Sequence, residues 1–298
     1  MRLTRFGWQG IALDVPSEWE LASFDGDGTN GTASLDDGTR VRVRVRWSSG
    51  QGRVPRVEAA IARYKRSLLK ASRKRVAFDT LDVGFLPPGF RRDKATLPFR
   101  WEHDSAAYGV AWHCRTCQRT ALLEVAVPSL KAGRKTAREI LCSATCHRDD
   151  DRQLWAAYGF AFLAPESYNL VKPDLRPGRL MFSFEGSKGR WLRVERWSMA
   201  SQLLRDAPIE RWPEEVTAAL PGGRPGTCED EPTSVSGCEG RRFSAAPPRR
   251  GLSRFLGRAP RMEGVVWYNP DSDKMVAVTA TGRDPDLVDE VAASVQCE

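Results

Sequence analysis

Histidine is scarce in this chain, with three in 298 residues, so general-base material is thin. No phosphate-binding loop of the GxxxxGK[ST] type occurs, which removes one common nucleotide-binding class. Ribonucleoprotein aromatic motifs, helix-turn-helix patterns and complete zinc fingers are also missing, which argues against specific base readout. The longest apolar runs are strand-sized, far short of the roughly 20 residues of a spanning helix. The opening MRLTRFGWQGIALDV enters a strand pattern with no apolar signal core, so a cytoplasmic protein is expected. Cysteines number seven, an odd count that argues for reduced thiols or a metal over a disulfide framework.

What is present is ordinary globular material: 41% hydrophobic and 28% charged residues, enough to bury a core. The net charge of +8 is carried mainly by Arg, which forks onto carboxylates and phosphates. Clustering decides whether that excess is a binding surface or solvated decoration.

The chain repeats itself. Gly10 to Leu21 (GIALDVPSEWEL) matches Gly159 to Leu170 (GFAFLAPESYNL). VRVRVRWS and WLRVERWS close with Arg46-Trp47-Ser48 and Arg196-Trp197-Ser198. YGVAWHCRTCQRTALLEV aligns with EGVVWYNPDSDKMVAVTA, pairing Gly109 with Gly264 and Trp112 with Trp267. EILCSATC ends at Cys146 as EVAASVQC ends at Cys297. Ordered blocks over the whole chain indicate duplication. Each copy reads as a strand closed by Pro16 or Pro165, further strands, a helix, a hairpin around the Trp strands and a final helix. The first helix carries an apolar stripe of Val57, Ala60, Ile61, Tyr64, Leu68 and Ala71. The last shows Ala137, Ile140, Leu141 and Ala144, echoed by Val288, Val291, Ala292 and Val295. The polar run His147 to Gln153 places the boundary at 148/149, giving domains 1–148 and 149–298.

A strand ending in proline and then an aromatic, a twisted antiparallel sheet and flanking helices resemble the PsbP-like fold. That fold is shared by extrinsic photosystem proteins, a Ran-binding nuclear import factor and bacterial DcrB-type domains. The resemblance rests on GIALDVPSEW and GFAFLAPESY, the two hairpins and the C-terminal helices. It implies an α+β protein of two tandem PsbP-like domains, mostly non-enzymatic and offering binding surfaces. Some DcrB-type relatives resemble chaperones of secreted effectors; those tend to be acidic, and this chain departs from them in charge.

His113-Cys114-Arg115-Thr116-Cys117, with Cys142, Cys146 and His147, is the sharpest local signal. A Cys-x-x-Cys at a hairpin tip presents two thiolates to one ion, and Cys142 and Cys146 sit four apart on the following helix. Cys114, Cys117, Cys142 and Cys146 are therefore the candidate zinc ligands; the other reading is small buried hydrophobes. The second copy has Asn269, Ser272 and Ala293 at three of these places. A disulfide or free thiols are both open for Cys228 and Cys238, which flank an acidic Gly/Pro/Ser-rich loop.

Two basic features point to a partner. Opposite the first helix's apolar stripe lie Arg56, Arg63, Arg66, Lys70, Arg73 and Lys74, with few acids. An insertion in the second copy, around residues 246–262, carries Arg249, Arg250, Arg254, Arg258 and Arg261 around Leu252, Phe255 and Leu256. These suit docking on an acidic protein partner or assembly; the alternative is a nucleic-acid or ribosome-associated accessory factor, and peripheral membrane contact is a further option. The run Asp25 to Gly31 has the look of a calcium loop but reads as a tight inter-strand turn. His103 and His113 lack a nucleophile context, and His113 and Cys114 point to opposite faces of a strand, so no catalytic residues are expected.

Overall fold

A computed structural model describes residues 2–50, 57–72, 76–218, 227–246, 261–282, 284 and 286–297. The chain is mixed α+β and divides into two compact units, residues 1–158 and 159–298.

In the first unit β1 (Leu3–Trp8) and β2 (Ile11–Pro16) are followed by β3 (Glu20–Gly26), β4 (Asn30–Asp36) and β5 (Val41–Ser49). Then come α1 (Val57–Ser72), β6 (Ala77–Thr80), α2 (Pro88–Arg91), β7 (Lys94–Glu102) and β8 (Ala106–Cys114). β9 (Arg119–Val127), α3 (Leu130–Ser143) and β10 (Arg152–Ala157) complete it. The main sheet is seven-stranded and antiparallel, in the order β3-β4-β5-β9-β8-β7-β6. Every residue of β8 is buried, because helices cover both sheet faces. Val57 and Ile61 of α1 pack with Phe99, Trp101, Ala107, Ala111 and Leu122. On the other face Ala137, Ile140 and Leu141 of α3 are buried, and Tyr108 donates to the Leu130 carbonyl at 2.8 Å. β5 alternates as its sequence demands: Val43, Val45 and Trp47 are buried while Arg44 and Arg46 are exposed.

β1 and β2 join through Gln9 (φ 52°) and Gly10 (φ 79°), the paired positive φ values of a tight hairpin turn. β10 pairs with β1 at Gly7↔Ala156, so the first unit runs on to Tyr158 and does not end at 148. The polar run expected as a linker leads directly into this strand. The Asp25–Gly31 segment is the β3–β4 hairpin turn, where Asp27 accepts from the amides of Thr29 (2.8 Å) and Asn30 (2.9 Å).

The second unit holds β11 (Phe160–Pro165), β12 (Asn169–Arg176), β13 (Arg179–Glu185), β14 (Trp191–Ser198), α4 (Ala200–Asp206) and α5 (Trp212–Ala218). β15 (Thr227–Val235), β16 (Cys238–Ala246), β17 (Met262–Asn269), β18 (Lys274–Thr281), α6 (Leu287–Ala293) and β19 (Gln296–Cys297) follow. Its seven-stranded antiparallel sheet runs β12-β13-β14-β18-β17-β16-β15. The Gly/Pro/Ser-rich loop expected between Cys228 and Cys238 is instead a hairpin of β15 and β16. Cys228 lies opposite Ala245 at one end and Cys238 opposite Val235 at the other. That separation prevents a bridge, and both thiols are free. Among the described residues no helix is long and apolar enough to cross a membrane.

Candidate metal centre and basic helix

β8 ends at Cys114 and β9 begins at Arg119, so the Cys-x-x-Cys forms the tip of a hairpin. The Arg115 amide donates to the Asp93 carbonyl at 2.9 Å, and the Gly50 amide to the Gln118 carbonyl at 3.0 Å, fixing that tip. α3 is capped at its start by Ser129, whose Oγ accepts from the Ala132 amide at 3.2 Å. The helix stops at Ser143, and Ala144 is extended (φ −68°, ψ 131°). Thr145 then pairs with Ala12 of β2 through two backbone bonds of 3.0 and 2.7 Å. Arg5 donates to the Ser143 carbonyl and to Thr145 Oγ1, each at 2.8 Å. Arg119, almost wholly buried, bonds the Gln9 carbonyl at 2.7 Å and the Cys146 carbonyl at 3.5 Å.

These restraints deliver Cys146 and His147 to the hairpin tip. One ligand atom each of Cys114, Cys117, Cys146 and His147 lies within 4.8 Å of the others, a group that could hold a metal ion. Cys117 Sγ is 3.7 Å from Cys146 Sγ. His147 Nδ1 is 3.5 Å from Cys114 Sγ and 3.7 Å from Cys146 Sγ. Cys114 and Cys146 are buried; Cys117 and His147 are half-buried.

Cys142, expected in this group, is not a member. The expectation needed Cys142 and Cys146 one helical turn apart, but the helix ends between them and Cys146 leaves on extended backbone. Cys142 stays on α3, half-buried, its thiol pushed up by burial. His147 takes the fourth place.

The thiols are electrostatically unequal. The hydrogen bond with Cys146 lowers Cys117 to about 5. Cys146 is raised, first by its hydrogen bond with Cys117 and then by burial, and burial raises Cys114. Asp93 stands behind the group: its Oδ2 lies 3.4 Å from Cys114 Sγ and 3.8 Å from His147 Nε2. Burial opposes ionisation of Asp93, but donors from Lys94 and Cys114 outweigh it and hold the carboxyl below its ordinary value.

On α1, Arg63, Arg66 and Lys70 are all exposed. None of them pairs with a carboxylate among the described residues, and Glu58 is the helix's one acid. Lys65 instead lies over the Phe78 ring at 5.2 Å. The candidates Arg56, Arg73, Lys74, Arg249, Arg250, Arg254 and Arg258 lie outside the described residues. Arg261 is described, and it pairs with Glu229 at 2.9 Å.

Sequence reasoning missed a buried acid beneath α1. Glu124 on β9 accepts from the Tyr64 hydroxyl and, at 3.3 Å, from Trp101 Nε1; Arg44 lies 3.6 Å away. Burial drives its carboxyl up to about 7, against the pull of Arg44 and Arg46. The signal was a lone Glu in the apolar run TALLEV.

In the second unit the hairpin tip is held without thiols: Asn269 Oδ1 accepts from the amides of Asp271 (3.0 Å) and Ser272 (3.2 Å). Cys297 sits on β19 opposite Phe160.

No protein-family model matches the chain, and no curated protein does either. Among solved structures, the apo immunity protein TplEi of the type VI secretion system of Pseudomonas aeruginosa is similar at 12% identity and TM-score 0.37. That match covers 99% of this chain and 96% of that one. The same immunity protein complexed with an "L" peptide gives TM-score 0.35 at 12% identity, covering 99% and 97%. A Bacteroides thetaiotaomicron structure gives TM-score 0.28 at 16% identity over 55% of this chain and 54% of its own. At these TM-scores the likenesses assign neither a family nor a function.

Proposed function

We propose that this chain is a non-catalytic binding protein, two PsbP-like copies in tandem, that docks an acidic protein partner through the outward face of α1. The observation that carries the reading is the exposure of Arg63, Arg66 and Lys70, with no carboxylate pairing them among the described residues. Unpaired cations on one helix face repel one another, and an acidic partner relieves that cost. Two of the buried polar groups are held by internal partners, which suits a non-catalytic role. His113 Nδ1 lies 3.0 Å from Thr120 Oγ1, and Glu195 pairs with Arg179 at 2.7 Å and Arg193 at 3.4 Å. Zinc enters as a structural ion of the first unit, since four protein ligands leave no open position for substrate. Free thiols suit a reducing cytoplasm.

Charge reversal tests the docking. The Arg63→Glu/Arg66→Glu/Lys70→Glu protein should keep its far-ultraviolet circular dichroism but lose the acidic proteins that the parent retains from a native lysate at about 50 mM salt. Equal retention by both proteins overturns the reading. Retention of RNA or DNA alone, falling steeply between about 50 and 200 mM salt, replaces it with the nucleic-acid reading.

A further inference from the structure

We infer that Cys114, Cys117, Cys146 and His147 form a closed tetrahedral zinc clamp in which His147 ligates through Nδ1 and Asp93 orients its ring from Nε2. This deepens, and rests on, the structural-zinc reading above.

Three of the group's six ligand–ligand edges match those of a zinc tetrahedron, and all six are within 4.8 Å. Zn–S bonds near 2.3 Å and Zn–N bonds near 2.0 Å at tetrahedral angles require sulfurs about 3.8 Å apart and sulfur–nitrogen edges of about 3.5 Å. The structure has a sulfur–sulfur edge of 3.7 Å and sulfur–nitrogen edges of 3.5 and 3.7 Å. Three thiols and an imidazole are soft donors suited to zinc, and a tetrahedral sulfur-rich site otherwise points to iron.

Ring orientation supplies a second, independent observation. Nδ1 of His147 faces the sulfurs, while Nε2 faces the Asp93 carboxylate at 3.8 Å. A ligating imidazole must be neutral at the metal-facing nitrogen and carry its proton on the other, where a carboxylate holds the tautomer. Asp93 is itself fixed by Lys94 Nζ at 3.2 Å, whose side chain is only 8% exposed.

The clamp has a mechanical consequence. Cys114 and Cys117 belong to the β8–β9 tip, whereas Cys146 and His147 follow α3. Zinc would tie the end of that helix to the tip of the central β8–β9 hairpin and fix the path into β10.

The test measures metal in full-length protein purified under reducing conditions, by elemental analysis and native mass spectrometry, with Co2+ as a spectroscopic probe. One zinc per chain is expected, together with the visible bands of tetrahedral Co2+ bound by thiolates. Cys114→Ser, Cys117→Ser, Cys146→Ser and His147→Ala should each lose most of the metal, and Cys142→Ser should keep it all. Asp93→Asn should bind zinc about 10- to 100-fold more weakly. Absence of zinc from the parent protein, or iron in its place, overturns the zinc reading itself. Full zinc in His147→Ala with loss in Cys142→Ser leaves zinc standing and overturns the clamp. An unchanged affinity in Asp93→Asn overturns the role given to that carboxylate. The parent protein and the Cys142 and Asp93 variants keep the test decisive even where a ligand variant fails to fold.

Discussion

Glu124 sits between α1 and the sheet, 4% exposed, where two donors converge on one of its oxygens. Its carboxyl is held near 7 instead of the ordinary 4.5, so the folded state binds its proton more tightly than the unfolded chain does. Stability from this group is therefore present at low pH and is lost as pH rises from about 4.5 to about 7. The loss is on the order of 3 kcal/mol. Glu124→Gln should flatten that slope in urea titrations across the window and be the more stable protein at pH 8. A slope equal to the parent's would show that Glu124 is already charged in the fold. The position was hard to read from sequence, because the alternation that marks β5 is missing where both sheet faces are covered. Cys142 misled for a related reason. EILCSATC has no glycine or proline stop signal, so the helix reads through to Cys146, and only the Thr145–Ala12 pairing reveals why it ends early.

At the scale of elements, the central hairpins are built around a glycine under a ring. Phe99 lies opposite Gly109 across β7 and β8, and a methyl group at Gly109 would meet Phe99 Cζ at 2.3 Å. Phe243 lies opposite Gly264 across β16 and β17, with the corresponding distance 2.4 Å. Glycine is needed here for space, since neither residue has a positive φ. Gly109→Ala and Gly264→Ala should each destabilise by about 1–3 kcal/mol. Gly89→Ala, where nothing lies within 4 Å, should stay within about 0.5 kcal/mol of the parent. Thermal unfolding checks all three, and a Phe99→Leu partner should relieve the Gly109→Ala cost if the clash is its cause. These glycines stood out in the sequence as aligned positions, as did the paired tryptophans. Their reason, a ring lying across the neighbouring strand, needed the register. β10 went unread because its six residues follow a polar run that looks like a linker.

For the whole molecule, the two seven-stranded sheets follow the same order of hairpins and crossovers. Matching strand order fits the internal sequence repeat, and the differences between the units are then informative. The first unit has a cysteine–histidine group where the second has an asparagine-held turn. The first unit's α1 carries a cationic face, while the corresponding stretch of the second has mixed charge. Composition announced the excess of arginine but not which arginines lack partners; Arg261 is neutralised by Glu229, and Arg63 is not paired among the described residues. A surface of this kind is defined by what meets it, so contact must be detected at the surface itself. Ser67 is exposed in the middle of the basic face, flanked by Arg63, Arg66 and Lys70. The most direct measurement places a photo-crosslinking amino acid at position 67 and identifies the adducts formed in cells. The docking proposal predicts a covalent adduct with an acidic protein that disappears when Arg63, Arg66 and Lys70 are reversed to glutamate. No adduct, adducts with nucleic acid alone, or an adduct indifferent to those reversals would contradict it.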